Sequence, residues 1–348
     1  MSNELKHASV GTELTQTEFE AGGLHVLDGQ TAGDMIIAAS AGQLSRHPYT
    51  GRNAVINGCG IVDQRAADYT LVKDAYGIRA DRFYGMATGT AVSAGVLTKT
   101  TTANCGITGH AFKFSGVTLT GAGIICLRYR MEAKDAVRFK NRTASFSCKL
   151  YHDAGNAINY TIYIRKANTA DTFAAVTEIA NSGAISVASA AETILEFLAV
   201  SMGDCSNGIE IEIKAACGAV TTKNFEFTEC QFEPGSLRTN FEFRPFQQEL
   251  ALCQRYYFQQ IGTNSINLES CGGTGTYNNQ LLRFPVDMRI APSVTLVGTF
   301  SCTNCATPTV QYVTTGKCSL QAIASGTMPV RVGFNSGADS GIKASAEL

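Results

Sequence analysis

A strict alternation of apolar and polar residues in the middle of the chain restricts its fold more than any other feature. Five runs carry the pattern, with apolar positions Phe112 and Phe114; Ile125, Leu127, Tyr129 and Met131; Phe146, Cys148 and Leu150; Ile158, Tyr160, Ile162 and Ile164; and Ile209, Ile211 and Ile213. Successive side chains of a β-strand point to opposite faces, so each run predicts a strand with one buried and one solvated face. About eight such strands, with no helix-length segment, predict a mostly β protein with an antiparallel jelly-roll sandwich over residues 51–244.

The last strand of this region contains a break in the alternation. Phe225 and Phe227 are in phase with each other, whereas Cys230 and Phe232 are displaced by one residue. One extra residue on one strand of an antiparallel pair produces such a displacement. The sequence therefore predicts a β-bulge near Glu229.

The period of the pattern changes again after residue 243. Apolar residues then recur at spacings of four, three and four, at Phe246, Leu250, Cys253 and Tyr257, which is one face of a helix. Pro245 stands where the helix begins, a position at which proline costs no hydrogen bond. We predict a linker helix of about four turns over residues 245–260, and we expect its apolar face to form a seam between copies of the chain.

This stretch carries a first family resemblance. The run FRPFQQELALCQRYY, from Phe243 to Tyr257, resembles a linker of bacteriophage tail-fibre and related virion proteins. In those proteins the linker follows a β-sandwich and precedes a C-terminal domain. The resemblance implies the same order here, with a smaller β-sandwich over residues 261–348, and it implies a virion subunit that assembles as a homotrimer.

Residues 1–50 contain too few apolar positions for a core of their own, so we expect them to form an arm that docks on a larger partner. Expected docking positions are Phe19, Leu24, Ile36, Ile37 and Leu44. The segment from Gly33 to Arg46 resembles a phrase near the virion-proximal ends of phage fibre and collar proteins, which implies docking to other virion proteins. The alternative is a flexible leader that packs on the following domain.

The start of the middle region resembles a carbohydrate-binding-module-like sandwich of phage tail proteins. The residues that carry the resemblance are Arg52 to Gly58, Gln64-Arg65 and Ala80 to Phe83. Asp63 and Phe83 stand where that family usually has tryptophan, and the chain contains no tryptophan. The resemblance implies the fold, whereas the missing flat aromatic residues weaken an expectation of sugar binding.

The C-terminal region begins with a glycine-rich polar stretch, Gly272 to Asn279, which we interpret as a loop. The following segment, Leu281 to Leu296, resembles the part of phage fibre proteins that follows their linker helix. We expect host-receptor contacts at Tyr277, Asn278, Asn279 and Tyr312, which combine aromatic area with amide hydrogen bonding. The alternative is that these are ordinary solvated loop residues.

Charge excludes some functions. The net charge is −1, so no overall field attracts the chain to nucleic acid or to an anionic membrane. A local basic cluster comprises Arg128, Arg130, Lys134, Arg138, Lys140 and Arg142. It is either a polyanion-binding patch or, as we favour, a strand face paired with carboxylates such as Glu210, Glu212 or Glu226.

Motifs for chemistry and membrane association are missing from the sequence. We find no P-loop, no nucleophile elbow, no HExxH and no EF-hand loop. No signal peptide or membrane-length apolar run is present, so we expect synthesis in a host bacterial cytoplasm. The 12 cysteines are then expected to be buried thiols, and the single CxxC pair, Cys302 and Cys305, lacks the further ligands of a zinc site. We expect no metal, no cofactor and no catalytic residue.

These observations predict a structural bacteriophage protein located in the virion. We expect a fibre or appendage subunit that attaches by its N-terminal arm and contacts a glycan or protein of the host surface. A capsid decoration protein that stabilises the shell without binding a receptor is the alternative from the same setting. A carbohydrate-active enzyme carried on the particle is the third possibility, because paired carboxylates converge only in space.

Overall fold

The described part of the chain is built almost entirely from antiparallel strands. The computed structural model describes residues 51–272, 274–325 and 330–348, with the backbone alone at 269–272 and 330–334. Residues 51–348 cluster into a single unit. The predicted arm, with its docking positions Phe19, Leu24, Ile36, Ile37 and Leu44, lies outside the described residues. No helix of the described part is long and apolar enough to cross a membrane.

Thirteen strands precede residue 235 in the described segments. They are β1 (Tyr69–Thr70), β2 (Gly77–Ile78), β3 (Phe83–Thr88), β4 (Ala91–Thr100), β5 (Ala111–Thr120), β6 (Ile124–Met131), β7 (Thr143–His152), β8 (Ile158–Thr169), β9 (Thr172–Asn181), β10 (Ile185–Val187), β11 (Thr193–Ser201), β12 (Ile209–Ala216) and β13 (Val220–Pro234). Between β6 and β7 lie a short helix α1 (Ala133–Ala136) and a 3-10 turn (Val137–Phe139).

These strands form the two sheets of a β-sandwich. One sheet has six strands in the order β1-β4-β5-β13-β7-β11, and the other has seven, in the order β10-β8-β12-β6-β3-β2 with β9 also paired to β8. Apolar residues from the inner faces of both sheets meet in one core, where the Tyr160 ring of β8 and the Phe227 ring of β13 pack edge to face with centroids 6.2 Å apart. All five alternating runs of the sequence lie in strands, and their apolar positions are buried. The predicted mostly β sandwich is confirmed.

The predicted bulge is also confirmed. The pairing of β13 with β7 shifts register between Thr228 and Gln231, and Glu229 has a left-handed φ of 52°. Both Thr228 and Glu229 consequently leave the inner face of the sheet, and Cys230 and Phe232 return to the core.

The expectation that every strand has a solvated polar face was wrong at three carboxylates. Glu210, Glu212 and Glu226 are all buried. Polar side chains of the outer faces pair with one another and with covering loops, which removes them from water. Period-two alternation shows which face is apolar, but it does not show what covers the other one.

The helix after β13 is shorter than predicted. Helix α2 runs from Phe246 to Gln254, nine residues, with Pro245 at its N-cap. Its residue Glu249 is buried and accepts two 3.0 Å hydrogen bonds from Arg244. The helix therefore packs on the first core instead of bridging solvent.

The predicted seam between copies is corrected by the same geometry. Cys253 is buried in the core of its own chain, and Tyr257 belongs to the next strand and is also buried. Leu250 packs partly against that core, and Phe246 alone of the four is exposed. These four residues do not form an exposed stripe, so the homotrimer stays a prediction from resemblance.

Nine further strands follow in the described segments after residue 256. They are β14 (Tyr257–Ile261), β15 (Asn267–Gly272), β16 (Tyr277–Arg283), β17 (Ser293–Val297), β18 (Phe300–Thr303), β19 (Thr309–Gln311), β20 (Lys317–Ile323), β21 (Val330–Ser336) and β22 (Gly341–Ser345). They pair into three three-stranded sheets, β14-β22-β17, β15-β21-β18 and β16-β20-β19. A second apolar core, which includes Leu268, Phe284, Met288, Leu320 and Ile342, lies among them. The division into independent domains at 244 and 261 stays a prediction.

Candidate functional site

A cleft of about 420 Å³ lies on the outer face of the six-stranded sheet, over β7, β11 and the bulge of β13. Its lining combines charged, amide, hydroxyl and apolar groups. The lining residues are Ile107, Ser147, Cys148, Lys149, Ile194, Glu229, Arg238, Thr239, Asn240 and Phe241. Strands provide the floor, and two loops, 101–110 and 235–245, provide the walls.

The bulge shapes the floor of the cleft. It turns Glu229 onto the outer face, where its carboxylate lies 3.3 Å from the Lys149 ammonium. Lys149 also lies 3.2 Å from Glu192. Burial disfavours the charged form of Lys149, but the two carboxylates outweigh this effect and raise the pKa of Lys149. The lysine is therefore a fixed cation in the floor.

Buried side chains of β13 hold one wall, loop 235–245, in place. The Gln231 amide donates to Oγ1 of Thr239 at 3.1 Å, and its oxygen accepts the backbone N–H of Glu242 at 2.8 Å. Glu233 accepts hydrogen bonds from the Thr239 N–H at 2.9 Å and the Thr239 hydroxyl at 2.6 Å. Arg52 lies 3.2 Å from the same carboxylate. A loop without regular structure is thus fixed by several charge-assisted bonds.

Carboxylates of β13 and of the segment before β11 hold the other wall, loop 101–110. The backbone N–H of Ile107 donates to Glu229 at 2.6 Å, and that of Gly106 donates to Glu192 at 2.8 Å. Asn104 is tied to Glu226 in the same way, at 2.7 Å from its backbone nitrogen. The anchored loop leaves the Ile107 side chain 82% exposed at the rim of the cleft.

The cleft has few unsatisfied charges but several available polar groups. Lys149 is paired with two carboxylates, and Arg238 is paired with Glu196. The Ser147 hydroxyl and the Asn240 amide make no hydrogen bond to any described residue. The cleft can thus donate and accept hydrogen bonds with an uncharged ligand, whereas an anionic ligand would compete with existing ion pairs.

The outer face of the seven-stranded sheet is different. We define its charged layer as Arg128, Arg130, Arg165, Glu210 and Glu212. Arg128 stands opposite Glu212 and Arg130 opposite Glu210 in the β6–β12 register. Arg130 lies 2.9 Å from Glu210, and Arg165 lies 3.0 Å from Glu210 and 2.8 Å from Glu212. The pairing favoured from sequence is confirmed for Arg128 and Arg130, because Glu210 lies within 4 Å of both.

The rest of the basic cluster is dispersed. Lys140 lies 2.8 Å from Asp204, and Arg138 donates to the backbone oxygen of Gly51 at 2.9 Å. Glu226, the third carboxylate considered from sequence, lies on the other sheet, 3.0 Å from Lys113. The cluster therefore does not form one polyanion-binding patch.

A buried ion network, which we call the clasp, joins the sandwich to the segment after β22. It consists of Arg65, Asp81, Arg82 and Glu347. Arg65 bonds Asp81 at 2.5 Å and Glu347 at 2.9 Å, and Arg82 bonds the other Glu347 oxygen at 2.5 Å. The Arg82 guanidinium is fully buried over the Tyr256 ring, 3.4 Å from its centroid. Arg65, Asp81 and Arg82, which lie in the two segments that carried the family resemblance, therefore have a structural role in this chain.

Burial governs ionisation in the clasp. Loss of water raises the pKa of Asp81 to about 6, although the neighbouring Arg65 opposes the change. Burial also disfavours the Arg82 cation, but Glu347 outweighs that effect and raises the pKa of Arg82. The Arg82 guanidinium therefore stays charged at neutral pH.

The predicted receptor-contact residues do not form one surface. Tyr277, Asn278 and Asn279 belong to strand β16 rather than to a loop, and Asn278 is buried. Asn279 is exposed and accepts a hydrogen bond from Gln321. Tyr277 pairs with Ile323 at one end of the sheet, whereas Tyr312 follows Gln311, which pairs with Ser319 about 13 Å away. Tyr277 and Tyr312 are both exposed, but they lie at separate places on the surface.

Sequence reasoning missed the cleft residues. Only the slip in alternation at Glu229 pointed to this place, since bulges often occur beside functional sites. The sequence pattern indicated that Ser147 and Lys149 form the polar face of an ordinary strand. It indicated that the wall residues Arg238 to Phe241 merely connect the last strand of the sandwich to the helix. Among the described residues, no group of three or more metal-ligating side chains converges.

No protein-family model matches this chain, and no curated protein matches it in sequence. Solved structures resemble about half of it. One is a family 61 carbohydrate-binding module in complex with β-1,4-galactotriose, with a TM-score of 0.31, 8% identity, and coverage of 53% of this chain and 99% of that chain. A C-terminal family 22 module of a Clostridium thermocellum protein has a TM-score of 0.29 and 12% identity, and covers 52% of this chain and 97% of that chain.

A third similar structure comes from a phage. The enzymatically active domain of tailspike protein 4 of bacteriophage CBA120 has a TM-score of 0.34 and 12% identity, with coverage of 53% of this chain and 22% of that chain. The three TM-scores are all below 0.5. Because a shared fold does not fix a shared ligand, function must be argued from the site itself.

Proposed function

We propose that this chain is a non-catalytic, glycan-binding subunit of a bacteriophage appendage, and that the cleft on the six-stranded sheet is its sugar site. The observation that carries the proposal is the anchored cleft itself. Its two walls are held by buried side chains, so its polar groups are positioned before any ligand arrives. Pre-formed concave sites with a few placed polar groups are typical of small-ligand binding.

The chemistry of the lining favours an uncharged sugar. A sugar hydroxyl both donates and accepts hydrogen bonds, and the Ser147 hydroxyl and the Asn240 amide do the same. Ile107 and Ile194 offer exposed apolar contact for the C–H faces of a ring. The cations are already paired, so the cleft gives little net attraction to a polyanion.

The absence of tryptophan predicts weak binding at each site. We expect a dissociation constant on the order of 1 mM, which corresponds to about −4 kcal/mol. The predicted homotrimer would compensate, because several weak sites on one particle act together on a host surface. Attachment to the particle is supported by the resemblance of residues 33–46 and 243–257 to segments of phage virion proteins.

The test is titration of the full-length chain with neutral host-derived oligosaccharides, followed by ligand-observed NMR. We expect binding by the wild type and at least a tenfold loss in the double variant Ser147→Ala, Asn240→Ala. Asn279→Ala, which removes an exposed amide from β16, is the matched control and should bind normally. Loss in the control alone would move the receptor surface to the C-terminal sheets and overturn the cleft.

A second readout addresses catalysis. Host polysaccharide incubated with the wild type should keep its chain length, as measured by size-exclusion chromatography. Shortening of the polymer would establish a carbohydrate-active enzyme and contradict the non-catalytic part of the proposal.

A further inference from the structure

Two cysteines differ from the others in exposure. Side chains are described for 11 of the 12 cysteines, and nine of these are buried, whereas Cys302 and Cys305 are partly exposed. Both pack against the edge of the second core. Thiols at such positions are reached by small reagents from solvent, in contrast to thiols in a core.

The backbone brings these two thiols together. Cys302 lies in β18, opposite Phe334 of β21, and Cys305 forms an isolated bridge with Ala324, directly after β20. Between them Asn304 has a left-handed φ of 57°, which turns the chain. The Cys302 side chain contributes to the raised pKa of Cys305, which is consistent with neighbouring sulfurs. Cys302 thus lies on the β15-β21-β18 sheet, and Cys305 lies beside the end of β20 in the β16-β20-β19 sheet.

We propose that Cys302 and Cys305 are a site of reversible oxidation, which close to an intrachain disulfide when the protein leaves a reducing compartment. A thiolate of one cysteine attacks a sulfur of a small disulfide such as oxidised glutathione, and one glutathione leaves. The second cysteine then attacks the mixed disulfide and releases the second glutathione. Two thiols are oxidised, one small disulfide is reduced to two thiols, and two protons pass to the products.

The rate of closure depends on pH. Burial, reinforced by Cys302, raises the pKa of Cys305 above the ordinary thiol value. Little thiolate is then present at pH 7, and the reaction accelerates as the pH rises toward 9. The oxidation does not depend on sugar binding, so each proposal can fail without the other.

Tryptic mapping tests the proposal on the full-length chain. The peptide Ile290–Lys317 contains Cys302 and Cys305 and no other cysteine, while Cys271 and Cys318 fall in the two flanking cysteine-containing peptides, Tyr256–Arg283 and Cys318–Arg331. Reduced native protein is treated with oxidised glutathione, alkylated after unfolding, and digested. We expect the peptide to be about 2 Da lighter than its reduced, unalkylated form and free of alkylation.

Single variants give the matched control. In Cys302→Ser the remaining Cys305 has no partner to close with, so the peptide should retain one glutathione, and Cys305→Ser should behave likewise. Two outcomes overturn the proposal. A wild-type peptide that carries two glutathiones shows that the sulfurs do not meet, and one that is fully alkylated shows that they are not oxidised.

Discussion

The outer faces of the two sheets carry the same kinds of residues and behave in opposite ways. On the seven-stranded sheet the charged layer pairs largely with itself, and Arg130 also bonds the backbone oxygen of Leu348 at 3.0 Å. On the six-stranded sheet Gln231, Glu233 and Glu229 instead bond to the backbone and side chains of two loops. Polar outer-face residues that pair with one another thus form a continuous charged layer. Those that bond to loops instead form the sides of an open cleft.

The comparison raises the question of how much each set of buried ion pairs contributes to stability. A buried ion pair costs desolvation that its attraction only partly offsets, so pairing by itself is weak evidence of net stabilisation. Removal of one partner of a buried pair is costly, because the other charge is left buried without compensation. Single substitutions can compare buried and exposed pairs, beginning with Arg82 of the clasp, the most deeply buried cation.

The largest effect is expected for Arg82→Met. The substitution leaves the Glu347 carboxylate without its 2.5 Å partner and the Arg130 carbonyl without a donor. We expect the free energy of unfolding to fall by about 3–5 kcal/mol, as measured by urea denaturation. A loss below about 1 kcal/mol, the value typical of exposed pairs, would contradict the buried role of the clasp.

An intermediate effect is expected for Gln231→Leu. The side chain keeps its volume but no longer holds the loop, and the Glu242 N–H loses its acceptor. We expect a loss of about 1–3 kcal/mol and faster hydrogen exchange at Thr239 and Glu242. Ser115→Ala, which removes the 3.3 Å bond to Asn224 on the same sheet, should leave exchange in that loop unchanged. Equal protection in both variants would show that Gln231 does not fix the wall.

The pH dependence of stability tests the burial of Asp81 in the clasp. Because the pKa of Asp81 is raised to about 6 in the folded state, folding favours its protonated form. The stability that this carboxyl contributes is present below about pH 4 and is lost as pH rises toward 6. Relative to Asp81→Asn, the wild type should therefore lose free energy of unfolding across that range. A difference that stays constant with pH would contradict this assignment.

The smallest effect is expected for Arg238→Met in the cleft wall. Its pair with Glu196 is about one-third exposed on both sides, so solvent already screens it. We expect a change of less than about 1 kcal/mol in urea denaturation. A cost as large as that of Arg82→Met would remove the distinction between the exposed pair of the cleft wall and the buried pairs of the clasp.

The sequence predicted the sandwich well because strand alternation is a local property. The bulge at Glu229 was predictable for the same reason, since a one-residue slip is visible between Phe227 and Cys230. The helix was overestimated because the spacing of Tyr257 fits a helical face, although that residue pairs with Ser345 in a sheet. A partner 88 positions away leaves no local signal.

The candidate site was not predictable to the same degree. Its walls come from residues 101–110 and 235–245, which meet only through the strands between them. Glycine-rich composition suggested a loop at Tyr277 to Asn279, yet these residues pair with Ile323 to Gln321 of β20. Long-range pairing and the covering of outer faces depend on the whole fold, and no window of sequence contains that information.

The clasp has a mechanical consequence. Helix α2 packs on the first core, and Glu347 is gripped by two arginines of the sandwich, so tension applied to the C-terminal sheets is shared by two separate tethers. A force applied to those sheets must rupture the Arg82–Glu347 ion pair before the connecting helix carries the load alone. Force spectroscopy on the wild type should therefore show an early rupture step, and in Arg82→Met, where Arg65 alone still holds Glu347, that step should occur at lower force.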